Sequence, residues 1–130
     1  MSLPLAYVIE DDEVIAKIFS TAVREAQFEA VVIRDGVEAI NRLELGVPDL
    51  VILDLHLPGI SGINILRLIR SDHRFKNTRV LIASADATQS EFLRANADEV
   101  LIKPIGFLKM RESAIQKRPN SRICSYSSKS

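Results

Sequence analysis

Five short apolar runs, each closed by a polar or charged residue, alternate along the chain with stretches whose apolar residues recur at helical spacing. Runs of this length that are apolar at consecutive positions suit strands covered on both faces, and their alternation with helices predicts βα units around a mostly parallel sheet. Leu5-Ala6-Tyr7-Val8-Ile9 ends in Glu10-Asp11-Asp12, after which Val14, Ile15, Ile18, Phe19, Ala22 and Val23 mark a helix. Ala30-Val31-Val32-Ile33 reads as a second strand. Asp35-Gly36 is a turn, and Val37, Ala39, Ile40 and Leu43 line a helix that stops near Gly46. Leu50-Val51-Ile52-Leu53 runs into Asp54 and a loop holding Pro58, Gly59, Ser61 and Gly62, followed by a helix bearing Ile63, Ile65, Leu66, Leu68 and Ile69. Val80-Leu81-Ile82-Ala83 ends in Ser84 before a polar helix near Gln89 to Ala95. Val100-Leu101-Ile102 ends in Lys103-Pro104 before a last helical stretch.

A chain of 130 residues fits one domain, which at this size buries roughly two-thirds of its unfolded surface without staples. The expected division is a folded unit over 1–118 and a serine-rich polar tail over 119–130, either disordered or the start of a linker. Seventeen acidic residues balance seventeen basic ones, so nothing points to nucleic-acid binding driven by phosphate attraction. No apolar run approaches the length of a membrane span, and the start, Met1-Ser2-Leu3-Pro4, has no secretory pattern. The single cysteine, Cys124, excludes an internal disulfide and a multi-cysteine zinc site, and a reducing cytoplasmic setting is expected.

In a parallel sheet of this kind, strand ends of one polarity meet along one edge, where ligands bind. That edge gathers Glu10, Asp11 and Asp54 with Ser84 and Lys103. Like charges about 4 Å apart repel by roughly 4 kcal/mol at an effective dielectric near 20, so three clustered carboxylates either take up protons or recruit a cation. An all-oxygen donor set suits Mg2+. Phosphoryl transfer needs a positioned nucleophile and charges that neutralise the equatorial oxygens. Asp54 is the candidate nucleophile, Ser84 a hydrogen-bond donor and Lys103 a counter-charge to the phosphoryl oxygens.

Taken together, Val8-Ile9-Glu10-Asp11-Asp12, the segment from Leu53 to Gly62, Ala83-Ser84-Ala85 and Lys103-Pro104 resemble the motif set of response-regulator receiver domains over roughly residues 5 to 117. The resemblance implies a flavodoxin-like (βα)5 fold with strand order 2-1-3-4-5 and a phosphoacceptor switch in two-component signalling. It also implies roles. Asp11 is a direct Mg2+ ligand, Glu10 acts through water, Asp54 is both ligand and phosphorylated residue, and His56 lends its backbone carbonyl to the metal. Ser84 is the switch hydroxyl, Lys103 the partner lysine with a cis bond to Pro104, and the amides of Leu55 and Ala85 reach the phosphoryl group. The side chains of His56 and Asp86 flank the path of the hydrolytic water. The implied partner is a histidine kinase or a histidine phosphotransfer protein, with the domain a monomer or weak homodimer and its effector unidentified. One departure is Val100, where the family often carries Tyr or Phe three residues before the lysine, so an aromatic rotamer switch is missing there.

Plainer readings accompany these. Asp12 and Glu13 suit helix capping alone. An isolated loop histidine such as His56 is more often solvated than catalytic, and His73 reads as a surface residue. Two other functions stand beside the phosphoacceptor. One is a pseudo-receiver that binds partners without phosphate. The other is a phosphatase or phosphotransferase with an aspartyl intermediate, for which the chain offers neither lid nor evident general acid. No output domain is expected within these residues, which fit a stand-alone regulator or a receiver excised from a larger protein.

Overall fold

The structure, a computed structural model, describes residues 2–86 and 91–119. Its elements alternate as β1 (Leu5–Ile9), α1 (Glu13–Glu25), β2 (Glu29–Ile33), α2 (Gly36–Leu45), β3 (Leu50–Asp54), α3 (Gly62–Ser71), β4 (Arg79–Ser84), α4 (Glu91–Asn96), β5 (Glu99–Ile102) and α5 (Phe107–Gln116). The five strands are parallel in the order β2-β1-β3-β4-β5, as expected of a flavodoxin-like (βα)5 sheet. Each strand lies within a residue or so of its expected limits. Part of the stretch expected to open α4 lies outside the described residues, as does the tail beyond Pro119.

Alternate side chains of the central strands divide the core into two layers. Tyr7, Ile9, Val51, Leu53, Val80 and Ile82 pack with Leu43, Ile65, Leu66 and Ile69 from α2 and α3. Ala6, Val8, Leu50, Ile52, Leu81 and Ala83 pack with Phe19, Ala22, Val23, Met110 and Ala114 from α1 and α5. Covering both faces of β1, β3 and β4 is what makes residues 5–9, 50–53 and 80–83 apolar at every position. Phe19, Phe28 and Phe75 are fully buried, each contributing about 2–3 kcal/mol of hydrophobic stabilisation.

Helix starts follow from local chemistry. The Asp12 side chain accepts from Ile15 N at 3.0 Å, Asp35 from Glu38 N at 2.8 Å and Ser61 from Asn64 N at 3.4 Å, each satisfying an amide that the first turn leaves without a partner. Asp12 thus serves as a cap. Apolar periodicity overreaches at helix surfaces: Val14 is 68% exposed and Leu108 67%, and Ile18, Val37 and Ile115 are also exposed. A helix buries only the stripe facing the sheet, which in α1 is held by Ala16, Phe19, Ala22 and Val23. Between α3 and β4 a single 3-10 turn (His73–Phe75) buries Phe75 and leaves His73 at the surface.

Candidate functional site

Sheet register brings the acids together. Ile9 pairs with Leu53, so Glu10 and Asp54 are the next residues on adjacent strands, at the point where strand order reverses. Asp54 in turn pairs with Ala83, which places Ser84 one step further along β4. Ser84 pairs with Ile102, and Lys103 follows. Residues separated by some ninety positions in the chain therefore meet on one edge because four parallel strands end in step.

Carboxylate oxygens of Glu10, Asp11 and Asp54 all lie within 4.8 Å of one another, with Glu10 and Asp54 buried and Asp11 exposed. Lys103 Nζ donates to Glu10 Oε2 at 2.8 Å and lies 3.6 Å from Asp54 Oδ2. The lysine thus counters two of the three acids and leaves Asp11 facing solvent. Burial pushes the Glu10 carboxyl above its ordinary range; the Lys103 hydrogen bond pulls it down, and the charge of Asp54 raises it again. Burial also opposes the charge on Lys103, but the Glu10 hydrogen bond and the neighbouring carboxylates outweigh it and hold the ammonium above its usual value. Lys103 is accordingly cationic at neutral pH.

Backbone groups complete the rim. His56 N donates to Asp54 Oδ1 at 3.0 Å, while the imidazole is exposed. Asp12 N donates to Glu10 Oε1 at 3.2 Å. Ser84 is buried, and its Oγ accepts from Asp86 N at 3.1 Å. The Lys103-Pro104 bond is cis, as expected, and Lys103 N donates to Ser84 O at 2.7 Å. Gly62 packs against the acid itself: a Cβ there would collide with the Asp54 carbonyl oxygen and come within 2.6 Å of Leu55 Cα. Val100 is half-buried and packs against the α2–α3 side of the core.

The donor set suits a hard divalent cation. All three side chains offer carboxylate oxygens within 4.8 Å of one another, the donor type that Mg2+ takes. Such a cluster could hold a divalent cation.

One residue escaped sequence reading. Arg34, immediately after β2, donates through Nη2 (2.7 Å) and Nε (3.2 Å) to the carbonyl oxygen of Asp11. Ile9 pairs with Ile33, so Arg34 flanks the acidic loop. The only available signal was strand adjacency, which requires the strand order. Among the described residues no helix is long and apolar enough to cross a membrane.

The chain is also similar to known proteins over most of its length. Residues 6–115 match the response regulator receiver domain family. The chain is 32% identical over 128 residues to the phosphate regulon transcriptional regulatory protein PhoB of Rhizobium meliloti, covering 95% of this chain and 56% of PhoB. It is 35% identical over 98 residues to the DNA-binding response regulator MtrA of Mycolicibacterium paratuberculosis, covering 75% of this chain and 43% of MtrA. The chain thus spans about half the length of these curated relatives. In structure it is similar to the chemotaxis response regulator CheY4 of Vibrio cholerae, with a TM-score of 0.81 at 19% identity over 89% of this chain and 99% of CheY4. With its sheet order, its strand-end acids and a family match over most of its length, the chain belongs to the response regulator receiver domains.

Proposed function

We propose that this receiver domain is a phosphoacceptor switch that takes a phosphoryl group onto Asp54 from a histidine kinase or a histidine phosphotransfer protein, in a Mg2+-dependent reaction. The observation that carries the reading is the meeting of three carboxylates within 4.8 Å with the Lys103 ammonium at 2.8 Å from one and 3.6 Å from another. Asp11 and Asp54 would hold the ion directly, Glu10 through water, with the His56 carbonyl as a further donor. When bound, Mg2+ supplies positive charge that offsets the repulsion between the nucleophile and the incoming phosphoryl oxygens.

An Asp54 oxygen attacks phosphorus in line with the leaving nitrogen of phosphohistidine. The P–N bond breaks as the P–O bond forms, and the imidazole leaves with a proton from solvent. Lys103 pairs with one phosphoryl oxygen and turns part of its charge from Glu10 to the product. The Ser84 hydroxyl, now an acceptor from the Asp86 amide, donates to another, which gives β4 a means of reporting phosphorylation. The amides of Leu55 and Ala85 provide further donors. Water attack on phosphorus later releases inorganic phosphate and restores the carboxylate, so the domain is a self-resetting switch and not a turnover enzyme. His56 and Asp86 flank the path of that water. The receiver unit in this reading runs over 1–118 with a polar tail over 119–130, acts in the cytoplasm as a monomer or weak homodimer, and makes no direct contact with nucleic acid or membrane.

The test is intact-mass measurement after incubation with acetyl phosphate and Mg2+, with the Asp54→Asn variant alongside. One added phosphoryl group in the wild type alone supports the switch. A folded wild type that gains none points to a pseudo-receiver that acts by protein contact without phosphate.

A further inference from the structure

We propose that the β2–α2 turn sets the spacing between the loop carrying Asp11 and the loop that follows Asp54, with Arg34 a positioning residue for the Asp11 carboxylate; this deepens the metal-dependent reading above and rests on it. Three consecutive residues, Arg34 and Asp35 of the turn and Gly36 at the start of α2, each engage a different element. Arg34 places two donors, Nη2 at 2.7 Å and Nε at 3.2 Å, on the single carbonyl oxygen of Asp11. Asp35 caps α2 by accepting from Glu38 N at 2.8 Å. Gly36 N donates to Pro58 O at 3.2 Å in the loop that follows Asp54. Gly36 also lies so close to that loop that a Cβ would come within 2.5 Å of Ile60 O and 2.8 Å of Ile60 N.

The turn is therefore a strap between the loop carrying Asp11 and the loop that follows Asp54. Two donors converging on one oxygen restrain both the position and the tilt of the Asp11–Asp12 peptide plane. At the opposite edge of the same peptide unit, Asp12 N donates to Glu10 Oε1 at 3.2 Å, and Asp12 Oδ1 caps α1. The main chain around Asp11 is held from both sides while its carboxylate faces solvent. A ligand presented from a restrained backbone gives up less conformational freedom when it binds an ion, which is how groups one bond removed from a metal ligand raise affinity.

Arg34 also brings a positive charge near the place a dication would occupy, and that charge opposes binding. The two effects make opposite predictions for its removal. Positioning requires that Arg34→Ala weaken binding, whereas simple repulsion requires that it strengthen binding. Arg34→Gln retains a donor without the charge and separates the two.

The experiment titrates the purified chain with Mn2+ and with Mg2+ by calorimetry, for wild type, Arg34→Ala, Arg34→Gln and Asp11→Asn. A urea midpoint for each confirms folding. Amide hydrogen exchange at Asp12 and Glu13 in metal-free protein reads the restraint itself. The expected result is faster exchange at these amides in Arg34→Ala, with a dissociation constant raised roughly tenfold, the low end for residues that orient metal ligands because this guanidinium is exposed. Arg34→Gln should recover part of both. In acetyl phosphate labelling, Arg34→Ala should raise the Mg2+ concentration for half-maximal rate more than it lowers the rate at saturating Mg2+. Unchanged or tighter binding by Arg34→Ala, in a wild type that binds and an Asp11→Asn that does not, overturns the positioning role and leaves the metal reading intact. A wild type that binds neither ion, like Asp11→Asn, overturns the metal reading and the positioning role with it.

Discussion

Lys103 Nζ sits 2.8 Å from Glu10 Oε2 and 3.6 Å from Asp54 Oδ2, so the lysine is hydrogen-bonded to the acid that is not the candidate nucleophile. Glu10 is almost wholly buried and Lys103 is 16% exposed at its side chain. Lys103→Met removes the cation that pairs with buried Glu10 and lies 3.6 Å from buried Asp54, and we expect a loss of about 2–3 kcal/mol, somewhat below that of a fully dry ion pair. Urea unfolding at pH 7 measures it. A neutral or stabilising effect would show that Glu10 is solvated or protonated and does not depend on the lysine.

Asp54→Asn should act in the opposite sense on the metal-free fold. Three clustered carboxylates face one ammonium, so deleting one charge relieves more repulsion than it loses attraction. A gain of about 1 kcal/mol is expected in EDTA. Saturating Mg2+ should reverse the order, because an ion that binds the folded wild type stabilises it by mass action and the variant binds more weakly. The same ranking of the two proteins with and without Mg2+ would argue against Asp54 as a ligand.

Gly62→Ala tests a steric limit next to the acid. Its Cβ would meet the backbone of Asp54 and Leu55, the latter at 2.6 Å from Cα, and backbone in a buried strand end cannot yield as a flexible side chain can. About 3 kcal/mol of destabilisation is expected, together with slower phosphorylation of whatever remains folded. A thermal midpoint equal to that of wild type would mean that the loop adjusts freely.

The far edge of the sheet holds a separate ion pair whose acid titration is predictable. Glu99, at the start of β5, pairs with the buried Lys117 beyond α5 and accepts from Ser113. Burial raises the Glu99 carboxyl, but the Lys117 hydrogen bond and charge, with help from Ser113, outweigh it and hold the group below its ordinary 4.5. A carboxyl lowered on folding stabilises the fold above its unfolded value and loses that contribution as pH falls through the folded one. The difference in melting temperature between wild type and Glu99→Gln should therefore be constant from pH 7 to about 5 and shrink below about 4.5. A difference that grows on acidification would reverse the assigned direction.

Much of the fold was legible from local pattern, because strands buried on both faces must be apolar at each position and strand-end residues stand out against that background. Val80-Leu81-Ile82-Ala83 followed by Ser84 is one such case, and Leu50-Val51-Ile52-Leu53 followed by Asp54 another. Helix faces were less legible. Val14 and Leu108 fit the apolar period yet lie exposed, since periodicity marks an apolar side without saying how wide a stripe the sheet covers. Phe75 was missed for the converse reason: a lone apolar residue in a polar turn has no period, and only its place in the core layer shared with α2 and α3 buries it.

By itself, then, the sequence determined which residues end strands, and with them that Glu10, Asp11, Asp54, Ser84 and Lys103 could share an edge, because strand polarity alone places them there. Tertiary structure decided who touches whom. That Lys103 bonds Glu10 more closely than Asp54 depends on register across four strands, and that Arg34 reaches the Asp11 carbonyl depends on β2 lying beside β1. Such contacts join residues distant in the chain, and their distances are set by the packing of whole elements, which no local pattern of amino acids encodes.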